Sequence, residues 1–195
     1  MKSVSATMLA GLFAVAAALP SQAADFNGFH VGIGAGINDT DLKLRGDSGE
    51  RVSAGNSDGE LIFFAGYDHE FPGRLVLGVD FEAAVRGDSG DELDDPDSFN
   101  FDFFDSMLSV SLRGGVLLTD SVLAYAKIGY ANLEVGQQNF NGVRFGGGIE
   151  ANLFWRVALR GEVLHARFSS QRIEEVALRG KPNATQARIG LLLRF

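Results

Sequence analysis

The 195-residue chain has no cysteine. That removes disulfides, thiolate zinc sites and a cysteine nucleophile from consideration, and it is no obstacle to an oxidising compartment. Proline is scarce at four residues, against 25 glycines and 16 phenylalanines, a balance that suits a sheet protein whose strands crowd one another. Basic residues are outnumbered, 17 to 25, for a formal charge of −8. Nucleic-acid binding wants a basic stripe, so that function class is set aside. Beyond the first 23 residues, no run is continuously apolar for the length of a membrane helix. If the chain crosses a membrane, it does so as strands.

The first 23 residues have three parts: Lys2, an apolar run from Met8 to Leu19, then Pro20 and Ser21-Gln22-Ala23. This is the pattern of a secretory signal, with cleavage expected between Ala23 and Ala24. The apolar run is too short for a spanning anchor. Residues 24–195 form the second unit, a single domain's worth of chain.

The stretch from Val143 to Phe168 shows its organisation. Val143, Phe145, Gly147, Ile149, Ala151 and Leu153 fall on one face, and Arg144, Gly146, Gly148, Glu150 and Asn152 on the other. After a turn near Phe154–Arg156, Val157, Leu159, Gly161 and Val163 oppose Arg160 and Glu162. Side chains alternate across a strand, so this is a hairpin with one apolar and one charged side. Glycine weakens a strand and serves little purpose beside charges on a solvent-facing surface. Inside a narrow closed barrel, it leaves room for long charged side chains. The reading is a barrel turned inside out, apolar towards lipid and polar towards its lumen.

The same alternation recurs along the chain. Strands are expected at Gly28–Ile37, Glu60–Phe71, Arg74–Arg86, about Phe103 to Leu118, and Val122–Val135, then the two of the hairpin and a last one after Asn183. Loops are expected at Asn38–Gly59, from Arg86 to about Phe101, at Gly136–Asn141 and at Ser169–Asn183, with tight turns at Pro72-Gly73 and Thr119-Asp120-Ser121. Long and short connections therefore alternate. The expected fold is all-β, an eight-stranded antiparallel up-and-down transmembrane β-barrel with both termini at the periplasmic end. A soluble barrel with its apolar face inward shares the alternation. The glycine-plus-charge face and the terminal Phe195 favour the membrane version.

The chain resembles the small eight-stranded outer-membrane β-barrel family of surface antigens and porin-like proteins. The residues that carry this are Gly32, Gly34 and Gly36, then Tyr125, Lys127, Gly129 and Tyr130, then Gly146-Gly147-Gly148 with Glu150, and Leu159-Arg160 with Glu162. The ending Arg188, Gly190, Leu191, Leu193 and Phe195 resembles the terminal signal by which such chains are recognised for barrel assembly. The resemblance implies outer-membrane lipid and the barrel-assembly machinery as partners, with no cofactor, and leaves activity open because one fold hosts many roles.

The candidate site is the lumen. Asp80, Glu82, Glu150 and Glu162 can face Arg86, Arg113, Lys127, Arg144, Arg160 and Arg188 there. Buried charges persist only when paired and hydrogen-bonded, so a salt-bridged filling is one reading and the selectivity lining of a narrow pore is the other. Eight strands enclose an interior just wide enough for side chains, which favours the filling. The acidic run Asp88–Asp97 lacks the spacing of a calcium loop and reads as a solvated charge run. His30, His69 and His165 lie on three different strands, and nothing in their spacing makes them converge on a metal. An esterase needs a histidine paired with a serine nucleophile. In the lipid-A deacylase barrels the two are two residues apart on one strand, and here residue 167 is Arg. Phe71, Phe101, Phe103, Phe104, Trp155, Phe168 and Phe195 read as an interfacial girdle. The expected role is non-enzymatic and structural or surface-exposed. A narrow channel for solutes or ions is the alternative, and an adhesin or a ligand binder (heme, for instance) acting through the loops is a further one.

Overall fold

Alternation along a strand leaves it with one apolar and one polar side, and closure into a cylinder then satisfies every edge. The computed structural model of the chain describes residues 26–46, 51–86, 105–135, 138–169, 171–173 and 178–195. The strands are β1 (Gly28–Gly46), β2 (Arg51–Phe71), β3 (Leu75–Arg86), β4 (Asp105–Thr119), β5 (Val122–Val135), β6 (Gln138–Phe154), β7 (Val157–Phe168), β8 (Gln171–Ile173) and β9 (Leu178–Arg194). β1 to β7 pair antiparallel in succession, β8 pairs with β9, and β9 pairs with both β7 and β1 to close the cylinder.

β8 is not a ninth stave. Arg167 of β7 faces Asn183 of β9, and Gln171 of β8 faces Gly180. Four steps along one strand are thus matched by three along the other. β8 is β7 resumed after a bulge of one residue, where Ser169 bonds the Asn141 carbonyl through its N–H at 2.9 Å and its hydroxyl at 3.1 Å. The fold is a closed eight-stranded antiparallel barrel.

Register gives the stagger. Starting at Val157 and stepping to successive partners leads through Leu193, Val31, Ala65, Phe81, Val110, Tyr130 and Val143, and back to β7 at Arg167. The row returns ten residues from its start, the shear that tilts the strands.

Among the described side chains of β1–β3, the odd-numbered ones face outward. Phe29, Val31, Ile33, Phe63, Leu77 and Phe81 are exposed, whereas His30, Asp68, Asp80 and Glu82 are buried. At the end with the tight turns, Phe29 packs edge-on against Tyr67 with ring centroids 5.0 Å apart, and Arg156 lies over both Trp155 and Phe195. Of the rings expected in a girdle, Phe71, Trp155 and Phe195 are exposed. Phe168 is not part of it: it has the inward parity of Arg160 and Glu162 and is buried inside the barrel. Phe101, Phe103, Phe104, the acidic run Asp88–Asp97 and the expected signal segment 1–23 lie outside the described residues.

Two boundaries differ from the sequence reading. Arg74 belongs to the turn before β3, at φ 69°, and pairs with Asp120 at 2.8 Å across the turn end instead of facing the lumen. The other difference is at the far end, where β1 and β2 continue through most of the expected Asn38–Gly59 loop and pair up to Arg45 and Arg51. β9 rises beside them to Leu178, and β6 begins at Gln138. The reason is a switch of sidedness. Up to Ile37 the apolar residues of β1 are odd-numbered, whereas beyond it Leu42 and Leu44 are even, register partners of Ala54 and Val52.

Candidate functional site

The lumen is layered. Nearest the tight turns lies an apolar cluster of Phe26, Val76, Leu117, Leu123 and Tyr125. Towards the other end, Ile62, Phe64, Ala84, Met107, Leu133 and Phe168 form a second, with Phe140 against it. Between them lies a band of charge.

Among the described residues, six carboxylates and six permanent cations meet in that band, so their formal charges cancel. Most cations bridge two acids. Arg113 joins Asp68 to Glu150, the latter at 2.9 Å. Arg160 joins Glu150 at 2.9 Å to Asp80 at 3.3 Å. Arg188 joins Glu60 at 2.7 Å to Glu82 at 2.8 Å. Arg194 joins Asp68 at 3.0 Å to Glu150. Arg144 is the exception. It touches Glu82 alone, and its Nε and Nη1 have no hydrogen-bond partner among the described residues.

Lys127 occupies the junction of the two halves. Its ammonium lies 2.8 Å from Asp80 and 2.9 Å from Glu162, and it also contacts Glu82. Asp80, Glu82 and Glu162 converge closely enough to be metal ligands. Here Lys127 Nζ stands where a cation would bind, which the compact ammonium charge suits. Tyr125 donates its hydroxyl to Glu162 at 2.7 Å. His30 sits between Asp68, 3.3 Å from Nδ1, and Asp80, 2.7 Å from Nε2.

Glycine makes the band possible. A Cβ on Gly66 would lie 2.5 Å from His30 Nε2 and 2.6 Å from Asp80 Oδ1, and one on Gly78 would lie 2.0 Å from Asp68 Oδ1. Any side chain at these positions would displace a charged group from its partner.

Of the ten charges assigned to the lumen from sequence, nine lie in this band: Asp80, Glu82, Arg113, Lys127, Arg144, Glu150, Arg160, Glu162 and Arg188. Arg86 ends β3 opposite Glu60, and its side chain lies outside the described residues. Four further members complete the network: His30, Glu60, Asp68 and Arg194. Each has the parity of a known inward neighbour, and that signal was enough to find them. His69 and His165 face outward instead, edge-on to Phe71 at 4.4 Å and to Phe145 at 5.5 Å. The three histidines therefore do not meet. The terminal residues Gly190 and Arg188 face the lumen, while Leu191, Leu193 and Phe195 are exposed. The Phe195 N–H reaches the Phe29 carbonyl at 2.8 Å, tying the end of the chain to its first strand.

Solved structures similar to this chain include Neisserial surface protein A, at a TM-score of 0.41 and 13% identity over 84% of this chain and 97% of that one. Ail, the attachment invasion locus protein of Yersinia pestis, gives a TM-score of 0.44 and 15% identity over 86% and 99%. The outer membrane protease OmpT from Escherichia coli gives 0.45 and 10% over 86% and 97%. No curated protein sequence matches the chain. The family model of the outer membrane protein beta-barrel domain matches residues 7–195, nearly the whole sequence, and the chain therefore belongs to that family of outer-membrane barrels.

Proposed function

We propose that this chain is a sealed, non-catalytic barrel whose lumen charges lock the cylinder rigid and whose working surface is its long-strand end. One observation carries the reading. The nine sequence-assigned charges in the lumen are each 4% exposed or less, although they line the axis of a tube. A selectivity lining must meet water and passing ions. These groups meet one another, and an apolar cluster flanks them on either side. Catalysis is disfavoured because His30 is clasped by carboxylates while His69 and His165 sit beside aromatic rings on the outer surface.

In this reading residues 1–23 are removed on export, both termini face the periplasm, and the long strands β1, β2 and β9 rise on the cell exterior. Outer-membrane lipid surrounds the barrel. Arg188, Gly190, Leu191, Leu193 and Phe195 present the ending that the assembly machinery takes up. A host or solute partner would meet the chain through its outer loops.

The test is conductance. The refolded mature chain in a planar bilayer should give no steady unitary currents in molar salt. Reproducible single-channel openings would establish the narrow-channel reading in its place.

A further inference from the structure

Phe26 stands just before β1 and belongs to no strand, yet it is 0% exposed. It shares one apolar cluster with Val76 of β3, Leu117 of β4, and Leu123 and Tyr125 of β5. The strand order places β5 four strands from β1, on the far wall of an eight-stranded cylinder. A ring attached at the foot of β1 that packs in this cluster therefore points across the tight-turn mouth, not along the wall.

Local features turn the chain that way. The β1–β2 register ends at Gly28 opposite Asp68, and two steps further would set residue 26 against Glu70. Instead the Glu70 N–H donates to Asn27 Oδ1 at 2.7 Å, so that edge group is satisfied without extending the ladder. Gly28 has φ 110°, and a Cβ there would lie 2.1 Å from the Phe195 carbonyl oxygen. Only glycine takes this conformation readily, and it sits where the backbone leaves the wall. Within the mouth the Arg194 guanidinium lies over the Phe26 ring, 4.6 Å from its centroid. The same guanidinium binds Asp68 at 3.0 Å and contacts Glu150. The ring thus covers a cation at the edge of the charge band.

Behind it the apolar layer is dry. Leu123 is 0% exposed and Val76 1%, although both stand next to the tight turns. The covered residues belong to strands bonded on both sides, whereas Phe26 lies outside the ladders. Segments without ladder bonds open at lower free energy than the strands around them.

We propose that Phe26 is a removable stopper: carried on Asn27 and Gly28, it swings out of the tight-turn mouth while the barrel stays closed. The proposal rests on the sealed-lumen reading above and deepens it, naming what shuts this end. The two fail separately. Steady current through the parent chain refutes the seal, whereas thiol reactivity behind the ring reports the stopper.

The chain has no cysteine, so Leu123→Cys places a single thiol in the covered layer. The refolded mature chain carrying it, in zwitterionic detergent, is exposed to a water-soluble methanethiosulfonate and followed by intact mass. The thiol should react slowly but to completion. Adding Phe26→Ala should speed it roughly a hundredfold, because opening no longer has to unpack a ring. If that variant does not fold, Asn27→Ala frees the strap with the ring kept, and takes its place. Met107→Cys, buried in the apolar cluster of the other end, should react no faster with the added change than without it. Equal rates at Leu123→Cys with and without the added change overturn the proposal. A parent thiol that never reacts overturns it too, as a fixed wall, and so does equal acceleration at Met107→Cys, as a barrel loosened throughout.

Discussion

Arg160 and Glu150 face each other across the strand pair β6–β7, with Nη2 2.9 Å from Oε2, and the same Arg160 reaches Asp80 on β3 at 3.3 Å. One guanidinium thereby ties opposite walls of the barrel together. Removing one partner from a buried ion network leaves uncompensated charge and costs about 3–5 kcal/mol. Arg160→Met should lose stability in that range. Arg144→Met should lose less, because among the described residues Arg144 pairs with Glu82 alone, which Lys127 and Arg188 also neutralise. Urea titration of the two refolded variants in the same vesicles gives the comparison. An equal or larger loss for Arg144→Met would contradict the network as drawn.

Lys127 makes a sharper test because three acids converge on it. With Lys127→Met, the carboxylates of Asp80, Glu82 and Glu162 lose their shared cation. The loss should again be several kcal/mol, about 3–5. Adding Glu82→Gln to that variant removes one of the stranded charges and should recover part of it. A double-mutant cycle over the two positions should then show a coupling of about 1–3 kcal/mol. Additive losses would mean that the ammonium does not serve these acids jointly.

Much of this was readable from the sequence, and the failures have physical causes. On β3, Leu75 to Val85 alternate so regularly with Asp80 and Glu82 that strand, faces and inversion follow from parity alone. The tight-turn ends were equally plain: β5 spans Val122–Val135 and β7 spans Val157–Phe168, as the pattern implied. The far end was obscured because the alternation changes sides after Ile37. Lys43 and Arg45 fall on the register where apolar residues had been, and a search for a lipid-facing row reads that as loop. Partners within the lumen were hidden for another reason. Arg160 and Asp80 are 80 residues apart, and they meet only because of the barrel's stagger, a property of the closed sheet that no single strand displays.

The close approach at Gly78 yields a prediction of its own. A Cβ there would come within 2.0 Å of Asp68 Oδ1, whereas a Cβ on Gly59 would meet nothing within 4 Å. Gly78→Ala must push Asp68 from Arg113 and should cost about 1–3 kcal/mol, the range for overpacking. Gly59→Ala should stay within about 0.5 kcal/mol of the parent chain, as surface substitutions do. Denaturation midpoints of the two variants decide it, and a tolerant Gly78 would show that the band is looser than its geometry states.

The inside-out arrangement itself can be tested on β4. Leu112 is 65% exposed near the middle of its strand, and Leu118 is 52% exposed near its end. If that surface faces acyl chains, a charge costs most at mid-depth: about 2–4 kcal/mol for arginine at the midplane, falling to about 0–1 near the interface. Leu112→Arg should therefore be clearly destabilised in vesicles and Leu118→Arg almost neutral. In a water-facing barrel the two would cost alike, since an exposed arginine is solvated wherever it stands on the wall. Folding free energies of both variants in the same lipid separate these outcomes. A flat depth profile would return the apolar rows of every strand to some other partner than the bilayer.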